Sequence, residues 1–517
     1  MTKGKSETSK KKTHTADMIF INSMNEDLLN NILLRLPAKS FAFASCVNRS
    51  WNRVSNRILS RPKLISAFSQ NPDKIRAGEE VLDKVLSEPI RPHFVIANIT
   101  YGNMEETLRL ITERVGSRVP IIVSIVSGIL GKEACNNKAG EVKELAAIND
   151  GMTVVTQFAI LLTIGYLPGM KVDVIPAIQA KGESEAAIGD KFVMDIRNYV
   201  SLVSDHAVPT CLILFGEDTH ATESILRKLD YAMPAETIIV GDQKGEFLHK
   251  CGNESRSVQL DKDDTRVLAG LIFARDRHRP APEAGRIQFD TAISRGVSSV
   301  ELRYKAANVS VTFPRSSPST LLTARRSGEA EVLNGLQILD DIENLAGNQF
   351  SLNDTYLGVI KRRKYSIGLE KKPKILSSLV FHPVYGADEQ YLLVDGAGIK
   401  TGDYFQVHLP DLNVAEASLN AVSSQLRNLK SKLKTSQVVG GFVFKGSGRG
   451  DSFFGRPNAD SSPFLENFPE LPFGGIFCGG EIGRSLFVEE GEEKKESSLR
   501  RCLHVHSSIY LIVSYTS

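Results

Sequence analysis

The residues best suited by type and spacing to do chemistry are the loop Gly446 to Asp451 and, further on, Glu481. Glycines let backbone donors come close to a ligand, and the arginine of Gly448-Arg449-Gly450 offers a planar fork of donors that suits a carboxylate. Glu481, framed by Gly480 and by Ile482-Gly483, could answer an amine. Gly448, Arg449, Gly450 and Glu481 are therefore candidate binding residues for a zwitterionic small molecule. Tight turns, with Arg449 paired internally to Glu481 or Asp451, would account for the same sequence.

Other constellations carry less. Cys502, His504 and His506 alternate and could touch a metal if they shared a strand face, but such a trio in a weakly patterned tail reads as incidental. Gly396-Ala397-Gly398 opens like a dinucleotide fingerprint, yet Thr401 stands at its third glycine position, so a plain turn is expected. There is no Gly-x-Ser-x-Gly elbow, no phosphate-loop lysine and no His-Glu-x-x-His helix. The sequence thus predicts no enzyme, no cofactor and no metal.

The elements around these residues begin with three short amphipathic helices between Ser23 and Leu59. Leu28, Leu29, Ile32, Leu33 and Leu36 fall on one helical stripe, Ser23 and Glu26 fit a capping box, and Pro37 disfavours helix at Leu36. The first helix is expected from about Met24 to Arg35. A second follows Pro37 and buries Phe41, Ala42 and Ala44, while Val47, Trp51, Val54 and Ile58 form the stripe of a third. So small a core asks for a partner.

The segment "NEDLLNNILLRLPAKSFAFASCVNRSWNRV", Asn25 to Val54, resembles an F-box: an acidic leucine-rich helix, a Leu-Pro break, a short helix, then Cys46-Val47, Arg49 and Trp51. It departs from many members in having Met24-Asn25 where they open with Leu-Pro. The resemblance implies binding to the Skp-type adaptor of a cullin-RING ubiquitin ligase, through Leu28, Ile32, Leu33, Leu36, Pro37, Val47 and Trp51.

With 42% hydrophobic and 24% charged residues, the chain has the composition of a soluble globular protein of more than one domain. A net charge of +3 is too mild to argue for a nucleic-acid surface, and no nucleic-acid partner is expected, although residues 1–22 form a basic tail with Lys3, Lys5, Lys10, Lys11 and Lys12, read as disordered. That tail, or Lys361 to Lys364, could serve as a nuclear import signal; a solvated charge run is the simpler reading. Six scattered cysteines without a Cys-x-x-Cys pair fit a reducing compartment. The longest apolar runs, Ile121 to Leu130 and Phe158 to Leu167, fall short of the roughly 20 residues of a membrane span. A cytoplasmic or nuclear protein without membrane contact is expected, which leaves the sequons at Asn98, Asn253, Asn308 and Asn353 unused.

Beyond the F-box at 23–60, residues 61–92 read as a helical linker, with its helix at Ile75 to Leu86. Strand and helix patterns then alternate through 93–275, with strands expected at His93 to Thr100 and Val119 to Val126 and helices at Met104 to Val115, Ile188 to Ser204 and Thr222 to Leu229. A Pro-, Arg- and Ser-rich interval at 276–326 reads as a partly mobile connector, and a second mixed segment covers 327–484. The tail 485–517 carries the charge run Glu489 to Glu496 and a short apolar strand, Ser508 to Ser514, and reads as poorly packed. No 20- to 50-residue period recurs, so leucine-rich repeats are not expected.

From Pro92 to Arg484 the chain resembles the FIST region, the paired N- and C-terminal sensory domains of bacterial signalling proteins and of F-box proteins of the F-box only protein 22 type. The carriers are "IVSIVSGILG" (122–131), "IGYLPGMKVDVIP" (164–176), "FVFKGSGRG" (442–450) and "FPELPFGGIFCGGEIG" (468–483). Gly446 stands where relatives tend to carry a cysteine, which removes thiol chemistry from that loop. The resemblance implies an α+β multidomain chain, a three-helix F-box followed by a two-part mixed α/β body that senses small ligands such as amino acids. The function it implies is substrate recognition for an SCF-type ligase, the body selecting an unknown protein for ubiquitination and degradation. The alternative is a small-ligand sensor whose F-box is a tether.

Overall fold

The computed structural model describes residues 25–143, 146–149, 152–155, 157–217, 220–253, 264–279, 285–313, 318–347, 351–368, 374–432, 436–487 and 499–516. The lysine tail, Ser23 of the expected capping box, Pro280 and Pro282, Ser316-Ser317 and the run Glu489 to Glu496 lie outside the described residues.

The N-terminal helices are α1 (Glu26–Leu33), α2 (Ala38–Ser45) and α3 (Arg49–Leu59). Asn25 caps α1 by accepting from the Asp27 amide at 3.0 Å, and Asn48 caps α3 by accepting from the Trp51 amide at 2.9 Å. Pro37 separates α1 from α2, whose first amide, that of Ala38, donates to Leu86 O at the end of helix α4 (Lys74–Val85). Leu29, Leu33, Phe41, Ala44, Val54 and Ile58 make the core, with Leu36, Trp51 and Leu59 partly buried at its edge.

The body begins earlier than the sequence predicts. Lys63–Ser69, inside the expected helical linker, is the edge strand of a five-stranded sheet and pairs antiparallel with Ile160–Tyr166. Phe94–Ile99, Ile121–Ile125 and Phe247–Lys250 complete that sheet. Helices α4 and α5 (Met104–Val115) cover its outer face through Ala77, Val81, Leu82, Val85 and Ile111.

The expected connector 276–326 is strand for most of its described length: Arg286–Ser294, Val297–Thr312 and Ser319–Arg326. Polar composition misleads there because the strands alternate. In Val297–Thr312, Tyr304 and Ala306 are buried while Glu301, Arg303 and Lys305 face outward or lie at the margin. The tail is corrected too. Ser508–Thr516 lies between Arg286–Ser294 and Ser436–Gly446 in a six-stranded sheet, and its residues from Ser508 to Ser514 are buried. Phe473–Cys478, Gly128–Lys132 and Ala139–Lys143 finish this sheet, and the helix Leu412–Lys432 covers it.

The third sheet has twelve strands and two characters. One half joins Met170–Gln179, Thr265–Arg275, Cys211–Gly216, Ile238–Asp242, Glu481–Phe487 and Leu499–His504 under helices α6 (Glu185–Val203) and α7 (His220–Ala232). In the other half the end strands Tyr356–Tyr365 and Lys374–Ala387 also pair, closing a six-stranded antiparallel barrel packed with Tyr304, Leu357, Val359, Leu392 and Phe405. The faces of all three sheets opposite the helices meet in one core that includes Phe94, Ile122, Val240, Phe273, Phe444, Ile476 and Leu511. The boundary between 93–275 and 327–484 is therefore not a spatial one: Val240 to Asp242 pairs with Glu481 to Gly483, and Ile129-Leu130 with Gly475-Ile476.

Lys361 to Lys364, read as a solvated charge run, lies in a barrel strand where Lys361 is buried and Arg362 and Lys364 are exposed. Among the described residues no helix is long and apolar enough to cross a membrane.

Candidate functional site

Two places in the fold have the makings of a site. On the three-helix unit, the leucine stripe of α1 divides between inside and outside. Leu29 and Leu33 are buried against α3, whereas Leu28 is 53% exposed and Ile32 39%. Phe43 on α2 is 69% exposed and Val47, in the turn before α3, 56%, so Val47 is not part of the core stripe assigned to it. Ala42 is likewise exposed. Monomers seldom leave so many large apolar groups exposed on a unit this small without a partner to cover them. Of the residues expected to bind an adaptor, Leu28, Ile32, Pro37 and Val47 are exposed, Leu36 and Trp51 are half-buried, and Leu33 is wholly core. Phe43, the most exposed of these large apolar groups, was not among the expected residues, although it is one of two phenylalanines in an alanine-rich helix.

The second place is a cavity of about 290 Å³ where the barrel meets the α/β half of the long sheet. Gly448 and Glu481 line it, and Arg449 and Gly450 do not. Arg449 is fully buried, and Asp460, not Glu481 or Asp451, is its ion-pair partner. Its Nη2 donates to Asp460 Oδ1 at 2.7 Å and to Ser294 Oγ at 3.0 Å, its Nε reaches both Asp460 oxygens, and its Nη1 donates to His506 O at 3.0 Å. This fork is already used inside the protein. The glycines have internal reasons as well. A Cβ on Gly446 would lie 2.1 Å from Glu481 Oε1, and one on Gly448 would lie 2.3 Å from the His506 ring, so both glycines make room for side chains of this chain.

Glu481 starts its strand at the cavity wall, is 3% exposed, and its Oε2 has no hydrogen-bond partner. Burial pushes its carboxyl up to about 8, against the pull of its own amide and of Arg449. His504 donates from Nε2 to Gly483 O at 2.6 Å, since a carbonyl can only accept, which leaves Nδ1 with a lone pair and no partner. His506 approaches Asp354 Oδ1 with Nε2 at 3.4 Å, and its Nδ1 too is buried and unpartnered. It also holds a left-handed backbone, φ 46°, uncommon outside glycine.

Across the cavity, His382 donates from Nδ1 to Asp395 O at 3.0 Å and receives the buried Lys361 amine at Nε2, 2.8 Å away. Burial pushes that amine down to about 7. Gly396 and Gly398, with φ of 85° and 93°, turn the chain around this pair, which is the role of the Gly-Ala-Gly segment. His506 lies beyond the strand that holds Cys502 and His504, so the alternating trio does not share one strand face. Among the described residues no group of three or more His, Cys, Asp or Glu is placed to hold a metal ion. Asp460, Asp354 and Lys361 gave no local signal in sequence, because each acquires its role from a partner on another element.

Comparison with known proteins bears on the first place. A family model described as the F-box domain matches residues 21–62. Over 518 aligned residues the chain is 78% identical to the F-box/LRR-repeat protein At5g63520 of Arabidopsis thaliana, spanning 100% of this chain and 98% of that protein. The repeats in that name have no counterpart among the described residues, whose sheets pair strands far apart in sequence instead of stacking like units. The three-helix unit with its uncovered apolar face and the full-length match agree, and the chain belongs to the F-box protein family.

Proposed function

We propose that this chain is the substrate-recognition subunit of an SCF-type cullin-RING E3 ubiquitin ligase. The F-box holds the Skp-type adaptor, and the body, which resembles FIST regions in sequence, selects the protein to be ubiquitinated and degraded, in the cytoplasm or nucleus. The observation that carries this reading is the outward set Leu28, Ile32, Phe43 and Val47 on a unit whose own core is already filled by Leu29, Leu33, Phe41, Val54 and Ile58. The transfer chemistry belongs to the chain's partners. It raises the local concentration of a target beside a charged conjugating enzyme, which accelerates transfer by proximity and orientation. In cells, adaptor and cullin should copurify with the wild-type chain and be lost from the double variant Leu28→Asp, Ile32→Asp, because a carboxylate pressed into an apolar contact must be desolvated without a partner. Undiminished copurification of the double variant would reject the reading.

A second reading, a small-ligand sensor for which the F-box is a tether, is favoured by the cavity beside Glu481. The two are compatible if ligand binding alters target choice.

A further inference from the structure

We propose that the cavity between the barrel and the α/β half binds a small organic amine in its cationic form, held by Glu481, His504 and His506. This rests on the ligand-sensor reading and deepens it by naming the ligand's chemistry.

The argument starts from unpaired atoms. Three buried side chains lining this one cavity each keep a polar atom without a partner: Glu481 Oε2, His504 Nδ1 and His506 Nδ1. Buried polar groups are nearly always satisfied, and each that is not costs about 1–3 kcal/mol. Once Glu481 is ionised, all three atoms are acceptors. In both histidines the other nitrogen faces an acceptor, the Gly483 carbonyl or the Asp354 carboxylate, which fixes the proton on Nε2 and the lone pair on Nδ1. A primary ammonium carries three N–H donors and no acceptor, the complement of this set.

Charge points the same way. The lining includes the carboxyl groups of Asp395, Glu481 and Glu223, the last paired with Arg227, against one lysine, Lys244, and no arginine. A zwitterion would also need a seat for its carboxylate. The fork expected to provide one, Arg449, is buried outside the lining and engaged by Asp460, Ser294 and the His506 carbonyl. The ligand that fits is therefore an amine without an α-carboxylate. Phe381, Pro383 and Tyr356 offer apolar wall for its carbon skeleton, and about 290 Å³ is at the small end of the roughly 300–1,000 Å³ range of ligand clefts.

Binding should move a proton. Glu481 faces Arg449 and Arg501, which favour its ionised form, and Asp242, which opposes it, while Tyr356 and Cys478 feel its charge. Burial dominates, so the acid is mostly neutral near neutral pH. When an ammonium arrives, the carboxyl ionises against it and its proton goes to the buffer.

The test uses the full chain in complex with its adaptor and, as probes, n-propylamine, 1,4-diaminobutane, alanine, propionate and propanol at millimolar concentration. Either amine should raise the melting temperature saturably while propionate and propanol do not, since a ligand that binds only the folded state stabilises it by mass action. Calorimetry of amine binding to the unaltered protein, in two buffers of different ionisation heat near neutral pH, should report release of up to about one proton, the fraction of Glu481 still protonated. Glu481→Gln should abolish that release and weaken amine binding by about tenfold or more, with adaptor copurification intact. Binding of propionate, propanol or alanine without binding of the amines overturns the amine assignment and keeps a ligand cavity. No shift with any probe, or amine binding without proton release, overturns the proposal; the first result also removes the support for a sensor and leaves the ligase reading untouched.

Discussion

At the scale of single residues, the F-box separates core from contact among adjacent leucines. Leu33→Ala should lower the stability of the three-helix unit by about 2–5 kcal/mol through the lost burial and the cavity left behind. Leu28→Ala, on a half-exposed side chain, should change stability little and weaken adaptor binding. Denaturant unfolding of the adaptor-free chain, followed by the lone tryptophan Trp51, separates the two effects. Glu481 gives a second expectation. Its folded pKa of about 8 lies above the ordinary value of 4.5, so between those limits the folded state binds more protons than the unfolded one. Stability must then fall as pH rises through this window, with the contribution fully present below about 4.5 and lost above about 8. Buried histidines such as His504, whose pKa burial depresses, act with the opposite sign below their ordinary value, so the informative quantity is the difference between wild type and Glu481→Gln. That difference should grow steadily from acid to mild alkali. A flat difference in melting temperature across the range would count against a neutral buried acid.

At the scale of elements, helices were the most legible. Met104 to Val115 matches its expected bounds, and α6 and α7 lie within a few residues of theirs, because a 3.6-residue period survives in any context. Strands were legible where a continuous apolar run met a buried sheet, as in Phe94–Ile99 and Ile121–Ile125. They were not where one face of a strand is wet, as in Val297–Thr312, or where pairing is remote, as in Ser508–Thr516, whose apolar run was visible but whose place inside a sheet was not. The candidate site shows the same divide: glycines around Glu481 marked it, but the Arg449 to Asp460 pairing follows from tertiary geometry alone. One boundary changes an experiment. A body beginning at Pro92 omits Lys63–Ser69 and α4, uncovering Ile160–Tyr166 and the Val81, Leu82 and Val85 side of the first core. Residues 61–517 should therefore be soluble and melt cooperatively, whereas residues 92–517 should aggregate or melt at a lower temperature. Equal melting temperatures would place Lys63–Ser69 outside the folding unit.

At the scale of the molecule, the F-box and the body differ in what each is expected to do alone. One backbone hydrogen bond, from the Ala38 amide to Leu86 O, links α2 to the end of the first helix of the body. In the proposed role, the chain concentrates a target beside the conjugating enzyme, and the body and the F-box have separate tasks. The proposal therefore predicts that the halves are separable in function. Affinity purification with cullin activity or the proteasome inhibited should enrich targets on the full chain, because captured proteins would no longer be consumed. Residues 61–517 should capture those same targets without recruiting the ligase and, when overproduced, lengthen their half-lives by competition. Translation-arrest chase of an enriched protein decides the matter. If the F-box-free body captures that protein and its decay is unchanged, the captured protein is not a degradation target; if the body fails to capture it although folded, target choice needs the three N-terminal helices, and the division of labour between adaptor face and body is wrong.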